Sequence, residues 1–259
     1  RHAAEPLPPP VFLLAGGPGQ ASSEYAAQVA GALREVRKAR SLFFIDQRGT
    51  GGSAPLDCPK DLLEQYEDRE GVDAIAEYAG KCAAALKTDP RLFTTTVAVE
   101  DLDAVRKALG APTVNLVGVS YGTRVAQQYA MRHPGTTRSI VLDGVLPNDV
   151  VAGGEFARMF ERTLELRGQA CAKDPACARR YPQDMRTQLA TLKQRLAAAP
   201  VEVEYRDPAT GEAKREKLTA QTVVGLTQLF SYVPQAAALL PVVVDEAVQG
   251  RYGPLAALA

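Results

Sequence analysis

The 259-residue chain is poor in several residue types that carry chemistry: it has two His, four Cys, three Met and no Trp. Any reaction that needs an imidazole must use His2 or His133, or a group from outside this sequence. There is no excess charge of either sign. Thirty basic side chains balance thirty acidic ones, so no global field favours nucleic acid or an anionic membrane surface. No apolar run approaches the roughly 20 residues that span a bilayer. No internal repeat or low-complexity segment is present. Residues 1–10, with Pro6 and Pro8–Pro10, form a polar, proline-rich lead-in and not a signal peptide. What remains, 46% apolar and 23% charged, is the composition of an ordinary globular protein of one large or two modest domains.

Short continuous apolar runs alternate with helical periodicity over the first part of the chain. Val11–Ala15, Ser41–Asp46, Thr113–Val119 and Ser139–Val145 read as buried strands. Ala26–Arg40, Thr96–Leu109 and Tyr121–Arg132 read as helices between them. That alternation predicts an α/β fold whose mostly parallel sheet is covered by helices on both faces. After Pro147 the pattern changes. Helical spacing dominates at about 152–169, 184–198, 220–231 and 235–249, with one hairpin, Val201–Tyr205 and Ala213–Leu218, around Asp207-Pro208-Ala209-Thr210-Gly211. The expected division is therefore 1–146, an α/β core, and 147–259, an inserted, mainly helical subdomain.

Gly118-Val119-Ser120-Tyr121-Gly122 matches G-x-S-x-G between a predicted strand and a predicted helix. A strand that turns sharply into a helix strains the backbone of the Ser and exposes its hydroxyl above the sheet edge. Side chains at the two Gly positions would collide there. The helix N-terminus then faces any negative charge that develops. Gly16-Gly17-Pro18-Gly19, after the first strand, supplies a loop whose backbone can donate to an oxyanion. The expected donors are the N–H groups of Gly17 and Tyr121, with Ser120 as nucleophile.

The motifs LAGGPGQAS (14–22), DQRGTGGS (46–53), GVSYGT (118–123) and RHPGTTRSIVLDGV (132–145) resemble those of α/β-hydrolase peptidases. The group is that of the proline iminopeptidase and tripeptidyl-aminopeptidase-like serine peptidases. The resemblance covers 11–146 well and 147–259 loosely, where that family inserts a helical cap. Many relatives carry His before Gly-Gly-Pro-Gly, where this chain has Ala15. The resemblance implies a cofactor- and metal-independent exopeptidase that releases residues from the N-terminus of peptides through an acyl-enzyme on Ser120. It also implies that the core is incomplete at both ends here and the cap truncated, with the triad Asp and His beyond Ala259. On that reading the segment by itself is inactive. A small-ester esterase on the same site and a non-catalytic hydrolase-like binding module stay open as alternatives.

Helix geometry excludes His133 as the base. It lies 13 positions after Ser120, about 20 Å along one helix, against the roughly 3 Å that proton transfer needs. His2 is disfavoured by the Ser…Asp…His chain order of this fold. The same order makes Asp143 a loop-organising residue before a triad acid. Asp46 and Arg48 are read as fixing the loop beside the site. Glu155 and Glu161 are the candidates for receiving a substrate α-amine, against a plain solvated helix face. Phe156, Phe160, Leu229, Phe230 and Tyr232 line a pocket or form subdomain core. The four Cys fall into two local pairs without metal-ligand spacing. Cys58–Cys82 and Cys171–Cys177 are the expected disulfides, a pairing the resemblance supports, with four reduced thiols as the alternative. Disulfides imply a periplasmic or secreted protein whose signal peptide lies outside this sequence. The expected partner is a peptide with a free N-terminus, with no nucleic acid and no membrane span. No oligomeric state is assigned.

Overall fold

The computed structural model describes residues 9–66, 69 and 71–259. These form two compact units, Arg1–Ala152 and Gly153–Ala259.

The first unit is built on four parallel strands: β1 (Val11–Leu14), β2 (Leu42–Phe44), β3 (Val114–Val119) and β4 (Thr137–Asp143), in the order β2-β1-β3-β4. The chain starts in the middle of the sheet, steps out to β2, then crosses back to β3 and β4. Helices α1 (Ala26–Ala32) and α2 (Arg34–Arg37) link β1 to β2. Helices α3 (Lys60–Tyr66), α4 (Val72–Ala85) and α5 (Thr95–Ala108) precede β3, and α6 (Tyr121–Arg132) joins β3 to β4. Alternation along the strands decides what covers each face. Phe12, Leu14, Val114 and Leu116 meet Val99 and Leu102 of α5 and Val125, Ala126 and Tyr129 of α6. Val11, Leu13, Leu42, Phe44 and Val117 point the other way, toward Val29 and Leu33. Both faces are thus apolar, which is why the strands read as continuous hydrophobic runs. Buried Asn115 satisfies its amide on the carbonyls of Pro9 and Pro10 at 3.1 Å each and fixes the chain's entry into β1.

The predicted helix Ala26–Arg40 is broken at Leu33, whose backbone (φ −95°, ψ 24°) leaves the helical region two residues after Gly31. Gly31 weakens that turn, while Leu33 packs on the sheet.

The second unit contains α7 (Phe156–Lys173), α8 (Pro175–Arg180), α9 (Met185–Ala198), the antiparallel hairpin β5 (Val201–Arg206) and β6 (Ala213–Leu218), then α10 (Ala220–Ser231), α11 (Pro234–Ala237), α12 (Leu240–Val248) and α13 (Gly253–Ala256). Its core gathers Leu164, Leu192, Leu196, Leu218, Val223, Leu240, Val244 and Leu255. Buried Asp245 accepts from Gln188 Nε2 (2.9 Å), Gln249 Nε2 (2.8 Å) and Arg180 Nη1 (3.3 Å), so its charge is compensated. Two predicted helices shift. The one expected from about 152 begins at Phe156, after Gly153-Gly154, and runs on until Asp174-Pro175. The one expected over 235–249 is two helices, because Pro241 lacks an N–H and sits in the first turn of α12.

Candidate active site

Ser120 lies where β3 turns into α6. Its backbone sits at φ 54°, ψ −120°. Among the described residues only Ala54 shares a positive φ without being Gly. Such a conformation persists when its surroundings over-determine it, and here they do. Ser120 N donates to Asp143 O at 2.8 Å, and Ser120 O accepts from Thr123 N (3.0 Å) and Thr123 Oγ1 (2.6 Å). Thr123 Oγ1 in turn accepts from Leu146 N at 2.8 Å, tying the elbow to the chain after β4. A Cβ on Gly118 would stand 2.4 Å from Gly122 O, and one on Gly122 would stand 2.1 Å from Leu14 O. Only hydrogen fits at either place, so β1, β3 and α6 close on one another without side chains between them. The Ser120 side chain is left exposed.

The loop after β1 meets this elbow. A Cβ on Gly16 would stand 3.0 Å from Ser120 Cβ and 3.4 Å from Ser120 Oγ. Gly17 follows with φ 103°, a conformation that favours glycine. β1 and β3 are neighbours whose connections leave in opposite directions. Their C-terminal ends therefore form the switch point at which open α/β sheets place ligands.

A second layer of polar contacts holds these loops. Ala15 N donates to Ser22 Oγ at 3.1 Å. Asp46 Oδ1 accepts from Ser23 N at 2.8 Å, and Oδ2 accepts from Ser23 Oγ at 2.8 Å and Gly52 N at 3.0 Å. Burial pushes the Asp46 carboxyl up, but these donors outweigh it and hold its pKa below the usual carboxylate range. Arg48 makes a bidentate pair with Asp101 of α5 at 2.5 Å for both contacts and donates to Leu92 O at 3.1 Å. Donating to the Asp101 carboxylate raises the Arg48 pKa. The loop 46–53 is thus braced on one side to residues 22–23 and on the other to α5. Buried Tyr121 joins its hydroxyl to Thr95 Oγ1 at 2.6 Å, which fixes the first turn of α6.

The structure therefore brings Ser120, Gly16, Gly17, Gly118, Tyr121, Gly122, Asp46 and Arg48 to one edge of the sheet. Asp143 joins them through its backbone carbonyl. His133 does not. It caps the far end of α6, faces Glu100 Oε1 at 3.5 Å and packs its ring 5.0 Å from that of Tyr129. His2 lies outside the described residues. In the second unit Glu155 pairs with Arg158, and Glu161 with Arg186 at 3.2 Å. Phe160 and Phe230 pack against that unit's core, whereas Phe156, Leu229 and Tyr232 are exposed. Cys58–Cys82 and Cys171–Cys177 are disulfides, with Cα atoms 5.2 and 5.1 Å apart. Among the described residues no group of three or more His, Cys, Asp or Glu could hold a metal ion, and no helix is long and apolar enough to cross a membrane. Sequence reasoning missed Ser22, Thr95, Asp101 and Thr123. Ser22 follows the Gly-rich loop and Thr123 follows the elbow, positions that could have flagged them. Nothing local marks Thr95 or Asp101, which reach the site only through the packing of α5.

A family model described as the alpha/beta hydrolase fold matches residues 9–184. The chain is 33% identical over 180 residues to the serine protease Hip1 of Mycobacterium tuberculosis, covering 62% of this chain and 35% of that protein. It is 30% identical over 146 residues to the tripeptidyl aminopeptidase of Streptomyces lividans, covering 51% of this chain and 27% of that protein. Among solved structures, a proline iminopeptidase of Mycobacterium smegmatis matches with TM-score 0.43 and 20% identity, over 97% of this chain and 64% of that one. The chain spans about a third of the length of the curated relatives it matches. It belongs to the α/β-hydrolase family.

Proposed function

We propose that this α/β-hydrolase chain carries the nucleophile and oxyanion hole of a serine exopeptidase that releases residues from the N-terminus of peptides. The observation that carries the reading is the strained backbone of Ser120 at the β3–α6 turn, with the Gly16-Gly17 loop packed against it. Ser120 Oγ attacks the scissile carbonyl carbon, and its proton passes to a general base. The N–H groups of Gly17 and Tyr121 receive the charge that develops on the carbonyl oxygen. The C–N bond then breaks, the amine leaves with a proton from the same base, and water hydrolyses the resulting ester on Ser120. Among the described residues no imidazole stands at Ser120, so the base on this reading is a group outside them. Glu155 and Glu161 remain the candidates for the substrate amine in the second unit. Each must first release its Arg. The peptidase names of the relatives support a peptide substrate, and the two disulfides support an oxidising, periplasmic or secreted setting.

The test uses the full-length protein. A fluorophosphonate should label Ser120 and leave Ser120→Ala unlabelled. Peptide anilides with a free N-terminus should be cleaved and their N-acylated counterparts spared. Cleavage of both, with small esters turned over faster, would make the chain an esterase. An unlabelled Ser120 would leave a binding module.

A further inference from the structure

Gln20 closes the glycine-rich loop and takes no part in the chemistry proposed for Ser120. Its side chain is exposed. Its Oε1 lies 3.1 Å from the point where a Cβ on Gly16 would stand, and Ser120 Oγ lies 3.4 Å from that same point. The amide is therefore beside the nucleophile. It is also oriented: Nε2 donates to the hydroxyl of Tyr25 at 3.0 Å. Oε1 accepts from none of the described residues, so a carbonyl acceptor stands open next to Ser120. Gln20 lines two cavities of the first unit. One, of about 170 Å³, runs toward Asp46, Arg48 and Asp101. The other, of about 560 Å³, is mostly apolar and runs past Tyr25 and Val119 toward Asp143. Leu14, Ala15, Gly16 and Ser22 line both as well.

We infer that Gln20 is a specificity-determining residue whose Oε1 accepts a hydrogen bond from an N–H group of the peptide substrate flanking the scissile carbonyl. Tyr25 holds the amide in the receiving orientation. The chemistry follows from the acceptor: a peptide offers N–H donors beside the carbonyl that Ser120 attacks, and a simple ester or a phosphonate offers none. The inference rests on the serine-peptidase reading above.

The experiment compares two reactions of the full-length protein at the same Ser120: cleavage of a peptide anilide, and labelling by an alkyl fluorophosphonate that carries no N–H. Gln20→Leu should lower kcat/KM for the peptide up to about tenfold relative to the labelling rate, the upper size of one lost hydrogen bond. Gln20→Glu keeps an acceptor oxygen and should restore peptide turnover to within about threefold of the unsubstituted protein. Tyr25→Phe removes the anchor and should fall between the two. A label at Ser120 with peptide turnover unchanged in Gln20→Leu would overturn the inference alone, and so would turnover that falls in step with labelling. No label at Ser120 in the unsubstituted protein would overturn the serine-peptidase reading and the inference with it.

Discussion

Replacing Gly122 by Ala tests whether the elbow is held by backbone-to-backbone contact. The new Cβ would stand 2.1 Å from Leu14 O, 2.7 Å from Leu14 C and 2.7 Å from Ala15 O. Ordinary carbon–oxygen contact needs roughly 1 Å more than the shortest of these. Nothing flexible can yield, because β1 lies on one side and the first turn of α6 on the other. Overpacking of a tight site costs about 1–3 kcal/mol and sometimes more. A clash with backbone belongs at the upper end. At about 2–4 °C per kcal/mol for a chain of this size, 3 kcal/mol lowers Tm by roughly 6–12 °C. Relief requires α6 to move away from β1, and that movement carries the Tyr121 N–H away from the Gly17 N–H. A shift of about 1 Å in a reacting geometry costs on the order of 10²-fold in rate. Differential scanning calorimetry and the fluorophosphonate labelling rate, read on the same full-length sample, check both halves. Gly135→Ala, where a Cβ meets nothing within 4 Å, is the matched control. Unchanged Tm and labelling in Gly122→Ala would refute the claim that the elbow glycines are required by close approach.

Gly31 in α1 and Gly225 in α10 have open space where a Cβ would stand. Each Gly→Ala change should therefore raise stability by about 0.5–1 kcal/mol through helix propensity, read as a higher denaturant midpoint. Asp103 is buried and accepts from Arg106 Nε (2.7 Å) and the Tyr129 hydroxyl (3.1 Å), with Lys107 Nζ at 2.8 Å. Hydrogen bonding to Arg106 holds its pKa well below the usual range. A depressed folded pKa contributes stability that is fully present above the unfolded value of about 3.9 and is lost as pH falls toward the folded one. The Tm gap between the unsubstituted protein and Asp103→Asn should then be constant from pH 7 to about pH 5 and narrow below pH 4. A gap that does not narrow would count against the ion-pair account. Removing Cys58–Cys82, which closes a 24-residue separation, should cost about 3.5 kcal/mol by chain entropy. Removing Cys171–Cys177, with a separation of 6, should cost about 2 kcal/mol. The order of the two losses in double Cys→Ala variants checks that account.

Much of the sheet and the β3–α6 turn can be read from Val11–Leu14, Val114–Val119 and Gly118–Gly122. There each residue's neighbours in sequence are also its determinants. A buried parallel strand is an apolar run, and an elbow needs glycine on both sides of its Ser. The errors fall where the determinant is a single backbone group. The helix expected over 235–249 ignores the N–H that Pro241 lacks, and the helix expected over Ala26–Arg40 ignores the freedom Gly31 gives its turn. The braces of the site were less legible. Asp46 and Arg48 could be nominated from their motif, but their partners Ser23 and Asp101 lie 23 and 53 positions away. Only the order β2-β1-β3-β4, which returns the chain across β1, brings α5 against the loop after β2. Gln20 was invisible for a related reason. Its meaning comes from Ser120, 100 positions on, through a glycine that lets the two approach.

The chemistry proposed for this site is carried largely by backbone, and that accounts for which residues the structure places around it. One hydroxyl and two N–H groups are proposed to act on the substrate. No side-chain substitution can add an N–H at Gly17 or Tyr121. The sequence can only fix where those groups stand. Three ties do so: Thr123 holds the Ser120 carbonyl, Ser22 holds the N–H of Ala15 directly before the loop, and Asp46 holds Ser23 beside it. Each tie holds a different stretch of backbone, so loss of one leaves the others in place while loosening a single donor. Substitutions at Thr123, Ser22 and Asp46 should therefore lower the labelling rate more than they lower Tm. Substitutions at Asn115, whose amide secures β1 at the opposite end of the sheet, should do the reverse.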